Sequence, residues 1–106
     1  MTDKIVVFST TSSAEDAETI ARHLVEQHLA ACVSIVREIR SIYRWEGKIE
    51  AASEWLLLIK SSRDRFEALR QLLEKLHSYE VPEVIALPVV EGSRNYLNWM
   101  DAELGI

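Results

Sequence analysis

The 106-residue sequence predicts an α+β fold, in which two long helices cover one face of a four-stranded antiparallel sheet and a short helix ends the chain. Segments typical of strands, amphipathic segments with helical spacing between them, and short polar connections predict this fold. Because domains usually contain ~100–150 residues, residues 1–106 form one domain. The apolar share of 48% is sufficient for a core, and the single cysteine, Cys32, excludes a disulfide framework.

A strand and a helix come first. Residues 5–8 are an apolar, mostly β-branched run that predicts a buried strand. A polar loop over residues 9–13 follows, and Ser12 with Glu15 has the spacing of a capping box at a helix start. Apolar residues then recur at helical spacing, which predicts a helix with one apolar face: Ala17, Ile20, Ala21, Leu24, Val25 and Leu29.

Residues 32–60 predict two long strands joined as a hairpin. The turn is residues 46–48, where Gly47 can adopt a positive φ. The apolar residues that share one face of the first strand are predicted to be Val33, Ile35, Ile39 and Tyr43. Those that share one face of the second strand are predicted to be Ile49, Ala51, Trp55, Leu57 and Ile59.

Three further elements complete the predicted fold. Ser62 is the predicted cap of a second helix and Ser93 of a short C-terminal helix. Residues 84–90 predict a fourth strand, which lies at the sheet edge or carries a bulge because Pro88 has no N–H to donate. The order βαββαβ, with long second and third strands and an extra C-terminal helix, is the ferredoxin-like arrangement.

The strands carry apolar side chains on both faces of the predicted sheet, although the helices cover only one face. Residues 5–8, 56–59 and 84–87 carry apolar side chains towards both faces, and soluble monomers rarely expose a patch of that size. Tyr43 and Trp45 lie near the end of a hairpin too long for its own core. These patterns predict a homo-oligomer. The alternative for Trp45 is that it folds back on its own strand.

Charge and hydropathy exclude several classes of partner. The net charge is −5, and five of the 17 acidic residues but one of the 12 basic residues lie from Glu80 onward. No basic stripe compensates, so nucleic acid is not expected as a partner. No apolar run approaches the ~20 residues of a membrane span. The N-terminal apolar run is too short for a signal peptide, so we expect a cytoplasmic protein.

Several segments in order resemble the CutA divalent-cation-tolerance family. YRWEGKIE, residues 43–50, is similar to its hairpin signature, and AACV, residues 30–33, to the start of its second strand. HSYEVPE, residues 77–83, is similar to its loop before the fourth strand, and residues 87–89 and 96–99 match the end of the pattern. The resemblance implies a ferredoxin-like homotrimer with a role in tolerance or response to divalent metals, with copper binding in some members.

The resemblance also bears on a metal site. Some family members have a metal-ligating cysteine in the first strand and a pair of histidines after the second helix. Those positions here are Ser9, Leu76 and His77, so only His77 is retained. Since soft donors favour copper, we expect weak binding of copper or another divalent cation at His77 and no required cofactor. The alternative for His77 is a structural role at the negative end of the second helix.

Other candidate residues belong to matched segments of the family pattern. Four polar ones resemble the lining of a cleft between subunits, or alternatively form contacts between subunits: Glu50, Lys60, Tyr79 and Glu83. The subunit interface is predicted to include Tyr43, Trp45 and Cys32. As a lone cysteine at a strand start, Cys32 is expected to pack as a small apolar residue rather than act as a nucleophile.

Three functions are compatible with these residues. The first is a trimeric metal-response protein that is not an enzyme and binds divalent cations weakly through histidine and carboxylates. The second is a trimeric sensing module that binds a small molecule between subunits, by analogy of fold. The third is a hydrolase of the acylphosphatase type. It requires an anion-binding loop after the first strand, which Glu15 and Asp16 disfavour.

Overall fold

A four-stranded antiparallel sheet with the order β2-β3-β1-β4 is the centre of the protein, in a computed structural model that describes residues 1–106. The strands are β1 (Lys4–Thr11), β2 (Cys32–Trp45), β3 (Lys48–Ser62) and β4 (Ile85–Pro88). The helices are α1 (Ala14–Glu26), α2 (Phe66–Leu76) and α3 (Arg94–Leu104). The predicted α+β order is confirmed, and so is the edge position of β4.

The main core lies between the sheet and the helices α1 and α2. Strand residues alternate between the two faces of a sheet, so Ile5 and Val7 of β1 point to the same side as Leu57 and Ile59 of β3. The amphipathic helices supply the opposite wall. The buried apolar residues of this core are Ile5, Val7, Ala17, Ile20, Leu24, Ala30, Leu57, Ile59, Leu69 and Leu73.

The helix starts differ from the predicted caps. The cap of α1 is Ser13, whose hydroxyl accepts a hydrogen bond from the Asp16 amide at 3.1 Å, so the assignment to Ser12 is wrong by one residue. Ser62 precedes a 3₁₀ turn (Arg63–Arg65) rather than α2 itself. Ser93 precedes α3 but makes no capping hydrogen bond through its side chain. None of the three helices is long and apolar enough to span a bilayer.

Two strand lengths also differ from the prediction. β1 continues through Ser9–Thr11, which was expected to be a loop, because these residues pair with residues 55–57 of β3. Polar residues can extend a strand where a long neighbouring strand offers backbone partners, and the hydropathy pattern does not report this. β4 covers residues 85–88 of the expected 84–90. The extension of β1 shortens the loop before α1 to residues 12 and 13.

A register shift divides the hairpin of β2 and β3 into two parts. Before the shift Ile35 pairs with Leu57 and Val36 with Leu56, and after it Ile39 pairs with Glu54. A shift by one residue moves the following side chains to the other face of the sheet. The prediction that Val33, Ile35, Ile39 and Tyr43 share one face is therefore wrong. Val33 and Ile35 lie on the helix side, and Ile39 and Tyr43 lie opposite.

The outer hairpin, residues 39–54, projects beyond the rest of the sheet. β1 pairs with β3 only from Trp55 to Ser62, so β2 and β3 are each other's only strand partners in the outer hairpin. The molecule measures 45 × 25 × 23 Å. Its radius of gyration is 14.3 Å, against the ~13 Å expected for a compact domain of about this length. The predicted projection of the hairpin is confirmed.

The sheet face opposite α1 and α2, the uncovered face, carries apolar side chains from three strands. Members of this face include Val6, Phe8, Leu56, Leu58, Ile85 and Leu87. α3 lies across one end of the sheet, where Met100 and Leu104 pack on Ala31 and Asp101 pairs with Lys4 at 2.6 Å. Beyond α3 the face stays open, and about half of the Leu87 side chain is exposed.

We predict that Leu57→Ala lowers the free energy of unfolding by about 2–5 kcal/mol per subunit, because the side chain is fully buried and its removal leaves a cavity. Val25, which was predicted on the apolar face of α1, is 42% exposed, so Val25→Ala is the control and should change it by less than about 1 kcal/mol. Chemical denaturation at a fixed protein concentration measures both values. Equal effects of the two truncations would contradict this assignment of the core.

Candidate functional site

A cavity lies between the outer hairpin and the loop formed by residues 77–83. Its volume is about 450 Å³. The hairpin contributes Ser41, Ile42, Tyr43, Trp45 and Glu54, the end of β1 contributes Thr10, and the 77–83 loop contributes Tyr79, Glu80, Val81 and Glu83. We call this cavity the cleft. Its size is in the ~300–1,000 Å³ range of small-molecule sites.

The register shift in β2 brings the hairpin residues to the cleft. After the shift, Ser41 pairs with Ala52 and Tyr43 with Glu50, so their side chains share the face of Glu54. The Thr10–Leu56 pair belongs to the same face. Without the shift, Ser41 and Tyr43 would point to the helix side. The cleft therefore lies at the edge of the uncovered face rather than among the helices.

His77 holds the 77–83 loop against β1. Its Nε2 lies 2.7 Å from the Thr10 carbonyl, and its Nδ1 lies 3.0 Å from the Tyr79 amide. A backbone amide only donates and a carbonyl only accepts, so Nδ1 is the acceptor and Nε2 carries the proton. The imidazole is thus a neutral ring with both nitrogens engaged. Its ring centroid is 4.7 Å from that of Tyr79.

Tyr79 and Glu54 form the polar floor of the cleft. The Tyr79 hydroxyl donates to Oε2 of Glu54 at 2.6 Å. Burial, together with this hydrogen bond and the negative charge of Glu54, raises the pKa of the Tyr79 phenol, so the phenol stays protonated at neutral pH. Glu54 is only 6% exposed and has no ion pair in the chain. A carboxylate this deeply buried normally has a cationic partner.

The cleft is negative throughout. Glu54, Glu80 and Glu83 are its charged residues, and no Lys, Arg or His lines it. Glu80 and Glu83 are exposed at its border. Carboxylates around a concave site raise the local concentration of cations and repel anions. The charge therefore favours a cationic ligand.

The four predicted cleft residues divide into two groups. Tyr79 and Glu83 line the cleft, as the resemblance implied. Glu50 is exposed on the outer hairpin opposite Tyr43, outside the lining. Lys60 lies at the other end of β3, where its Nζ is 2.9 Å from Oγ of Ser34. The structure therefore does not bring Glu50 and Lys60 into this cleft.

The three predicted interface residues also lie apart. Tyr43 and Trp45 are 44% and 45% exposed on the outer hairpin, so about half of each residue is open to solvent. Cys32 is half-buried at the start of β2, with its Sγ 3.9 Å from Nζ of Lys60. Burial and the neighbouring Cys32 thiol raise the pKa of Tyr96 on α3.

A tightly bound metal does not fit one subunit. No three His, Cys, Asp or Glu side chains are grouped so that they could hold an ion. Ser9 is fully buried with a hydroxyl that has no partner, and Leu76 offers no donor atom. His77 has no free nitrogen, because Thr10 and Tyr79 occupy both. The thiolate and imidazole donors that copper prefers are therefore not assembled here.

Sequence reasoning missed Glu54 as the centre of the site. The one signal was a charged residue immediately before the apolar run of residues 55–59. Such a charge at a strand end is usually solvated, and its burial depends on the register shift and on the 77–83 loop. Thr10 and Ser41 also line the cleft and were missed. Thr10 was assigned to a loop and Ser41 to no site, because strand pairing and the register shift place them there.

Comparisons with known proteins agree with this fold. A sequence model of the family described as CutA1 divalent ion tolerance protein matches residues 5–103. The divalent-cation tolerance protein CutA of Thermus thermophilus is 48% identical over 100 residues, which cover 94% of this chain and 97% of the relative. CutA of Xylella fastidiosa has a crystal structure with a TM-score of 0.95 and 42% identity, covering 97% of this chain and 99% of that chain.

A plant relative is longer. The chloroplastic protein CutA of Arabidopsis thaliana is 46% identical over 96 residues, which cover 91% of this chain. Those residues are 53% of that relative, so the chain spans about half of its length. The matched region includes both the hairpin and the 77–83 loop, which carried the resemblance. The chain belongs to the CutA1 divalent ion tolerance protein family.

Proposed function

We propose that this protein acts as a homotrimer in the tolerance of, or response to, divalent metal ions, and that it is not an enzyme. The role with divalent ions rests on the family match, and the trimer rests on the outer hairpin, which projects from the core as two strands with exposed apolar side chains on both faces. Ile42 and Ile49 are 71% and 69% exposed on one face, and Tyr43 and Trp45 are exposed on the other. An isolated two-stranded hairpin is marginally stable in water.

A ring of subunits explains the exposed outer hairpin and the uncovered face better than a face-to-face dimer does. The Ile42 and Ile49 side of the outer hairpin and the uncovered face are different surfaces of one subunit, because they lie on opposite faces of the sheet. Contact between two different surfaces is heterologous, and such contacts close into a ring when the rotation permits. A trimer is the smallest such ring, and it agrees with the state that the family resemblance implies. The proposed interface includes Tyr43, Trp45 and, at the other end of the sheet, Cys32.

The proposed contact with divalent cations is weak and uses oxygen donors. Glu80 and Glu83 are exposed carboxylates at the border of the cleft, and His77 belongs to the same loop. Carboxylates suit magnesium and manganese, whereas copper prefers thiolate and imidazole groups, of which only the His77 imidazole lies in this loop. Copper at His77 must displace the Tyr79 amide or the Thr10 carbonyl. We therefore propose no required cofactor.

The cytoplasm is the compartment that we propose. The chain has one cysteine, Cys32, so it lacks the disulfide framework that is typical of small secreted domains. Fractionation of cells that produce the tagged protein tests the proposal. Recovery with cytoplasmic markers is expected, and recovery with periplasmic or organelle markers would contradict it.

The second candidate function is small-molecule sensing, in which a neighbouring subunit completes the cleft. The observation that favours it is the cavity of about 450 Å³, in which apolar walls surround a buried carboxylate. A hydrated metal ion gains nothing from contact with apolar walls, whereas an organic ligand can bury its own apolar surface against them.

We predict that the protein has three times the 12.1 kDa mass of its chain at micromolar concentration, and that Leu87→Glu lowers that mass. A charge at this half-exposed position of the uncovered face is tolerated in water but not against an apolar neighbour. Val25→Glu, at an equally half-exposed position on α1 across the sheet from the uncovered face, is the control and should leave the mass unchanged. Light scattering coupled to size exclusion measures all three. A wild-type mass of one chain would contradict the trimer.

We predict weak, saturable binding of manganese and copper that is reduced in the double variant Glu80→Gln with Glu83→Gln. His77→Gln should reduce the heat of copper binding but not that of manganese binding, because manganese prefers oxygen ligands. Glu26→Gln, an exposed carboxylate at the end of α1, is the control. Isothermal titration measures each metal against each variant. Absence of saturable heat for both metals would overturn the direct-binding part of the proposal.

A further inference from the structure

We infer that the cleft binds an organic cation, an ammonium group carried on an apolar body, with the carboxylate of Glu54 as its anchor. The inference rests on the second candidate function, in which the cleft takes a small molecule, and it names the chemical class of that molecule. It does not depend on the binding of any metal.

The first argument is the unpaired charge of Glu54. Glu54 as a residue is 6% exposed, its Oε2 accepts from Tyr79 at 2.6 Å, and its Oε1 makes no hydrogen bond within the chain. No Lys, Arg or His nitrogen lies within ion-pair distance of it. Burial of a carboxylate without a cation is costly, so folds that retain one usually supply the cation from elsewhere. Glu54 is one of the residues that line the cleft, so a cation bound there can reach its carboxylate.

The second argument is the chemistry of the walls. Half of the lining residues are apolar, and they include the rings of Tyr43, Trp45 and Tyr79. Aromatic faces attract ammonium groups and also cover the hydrocarbon part of a ligand. A carboxylate floor with aromatic walls thus matches a ligand that has one charged end and one apolar body. The exposed carboxylates of Glu80 and Glu83 would concentrate such cations at the opening.

The third argument separates an organic cation from a metal ion. A divalent metal requires several donor atoms at about 2.0–2.6 Å from one point. The three carboxylates of the cleft are not grouped in that way. They surround a space of about 450 Å³, far larger than a single ion needs. The volume and the spacing therefore favour an organic ligand.

A side chain from a neighbouring subunit has the same chemistry and is the competing source. The hairpin carries Arg40, Arg44 and Lys48, none of which has an ion-pair partner within its own chain. If one of them filled the cleft in the trimer, the site would be closed to added amines. Glu54→Gln would then lower the stability of the trimer instead of the affinity for a ligand. The experiment below measures both properties.

The test uses three probes with one apolar body and different charges: phenethylamine, 2-phenylethanol and 3-phenylpropionate. Each is titrated into the metal-free protein, and isothermal titration and the NMR signals of the indole N–H groups are followed. We expect saturable binding of phenethylamine with a shift of the Trp45 signal. Binding of 2-phenylethanol should be at least about tenfold weaker and 3-phenylpropionate should not bind, because a charge-assisted hydrogen bond contributes about 1.5–3 kcal/mol.

Variants connect the binding to Glu54. Glu54→Gln keeps an acceptor for the Tyr79 hydroxyl but removes the charge, so it should weaken phenethylamine about 10- to 100-fold and leave 2-phenylethanol unchanged. Trp45→Leu should weaken both. Glu26→Gln is the matched control and should change neither. The mass of each sample by light scattering shows whether the variant assembles like the wild type.

The outcomes are separable from those of the proposed function. A trimer that takes up none of the probes, or takes up all three equally, overturns this inference and leaves the trimer and the metal role standing. Normal phenethylamine binding by Glu54→Gln also overturns it. The inference is likewise overturned if the wild type binds no probe and Glu54→Gln loses the trimer, because a side chain of a neighbouring subunit then fills the cleft. A monomer that binds phenethylamine in a Glu54-dependent way supports the inference and overturns the trimer.

Discussion

The outer hairpin of this protein has no third strand beside it. β1 ends at Thr11, opposite Trp55, and beyond this point β2 and β3 pair only with each other for the rest of their length. A ribbon of two strands with large exposed apolar side chains is marginally stable in water. The proposed trimer would supply the support that this ribbon lacks within one subunit.

The register shift between Val36 and Ile39 connects the hairpin to the candidate site. It turns Ser41 and Tyr43 towards Glu54, and the 77–83 loop, held to Thr10 by His77, closes the other side. The same neutral imidazole that could ligate a metal is thereby used to hold the loop. This use of His77, together with Ser9 and Leu76 at the other two positions, leaves no tight metal site within one subunit.

The sequence allowed the element order, the edge position of β4 and the projecting hairpin to be predicted, because apolar periodicity and Pro88 report local geometry directly. It did not allow the extension of β1 or the face of Tyr43 to be predicted, because strand pairing and bulges depend on partners distant in the chain. Tyr79 and Glu83 were found through family resemblance. Glu54 was missed, since the burial of a lone charged residue is a property of the tertiary structure.

The central claim is that contacts between subunits stabilise the outer hairpin, and amide hydrogen exchange of its cross-strand amides in residues 39–45 and 48–54 tests it most directly. In the wild-type protein these amides should exchange slowly, like those of β1, whereas in Leu87→Glu they should exchange rapidly while β1 stays protected. Rapid exchange of the outer hairpin in the wild type, or equal protection in both proteins, would contradict the claim.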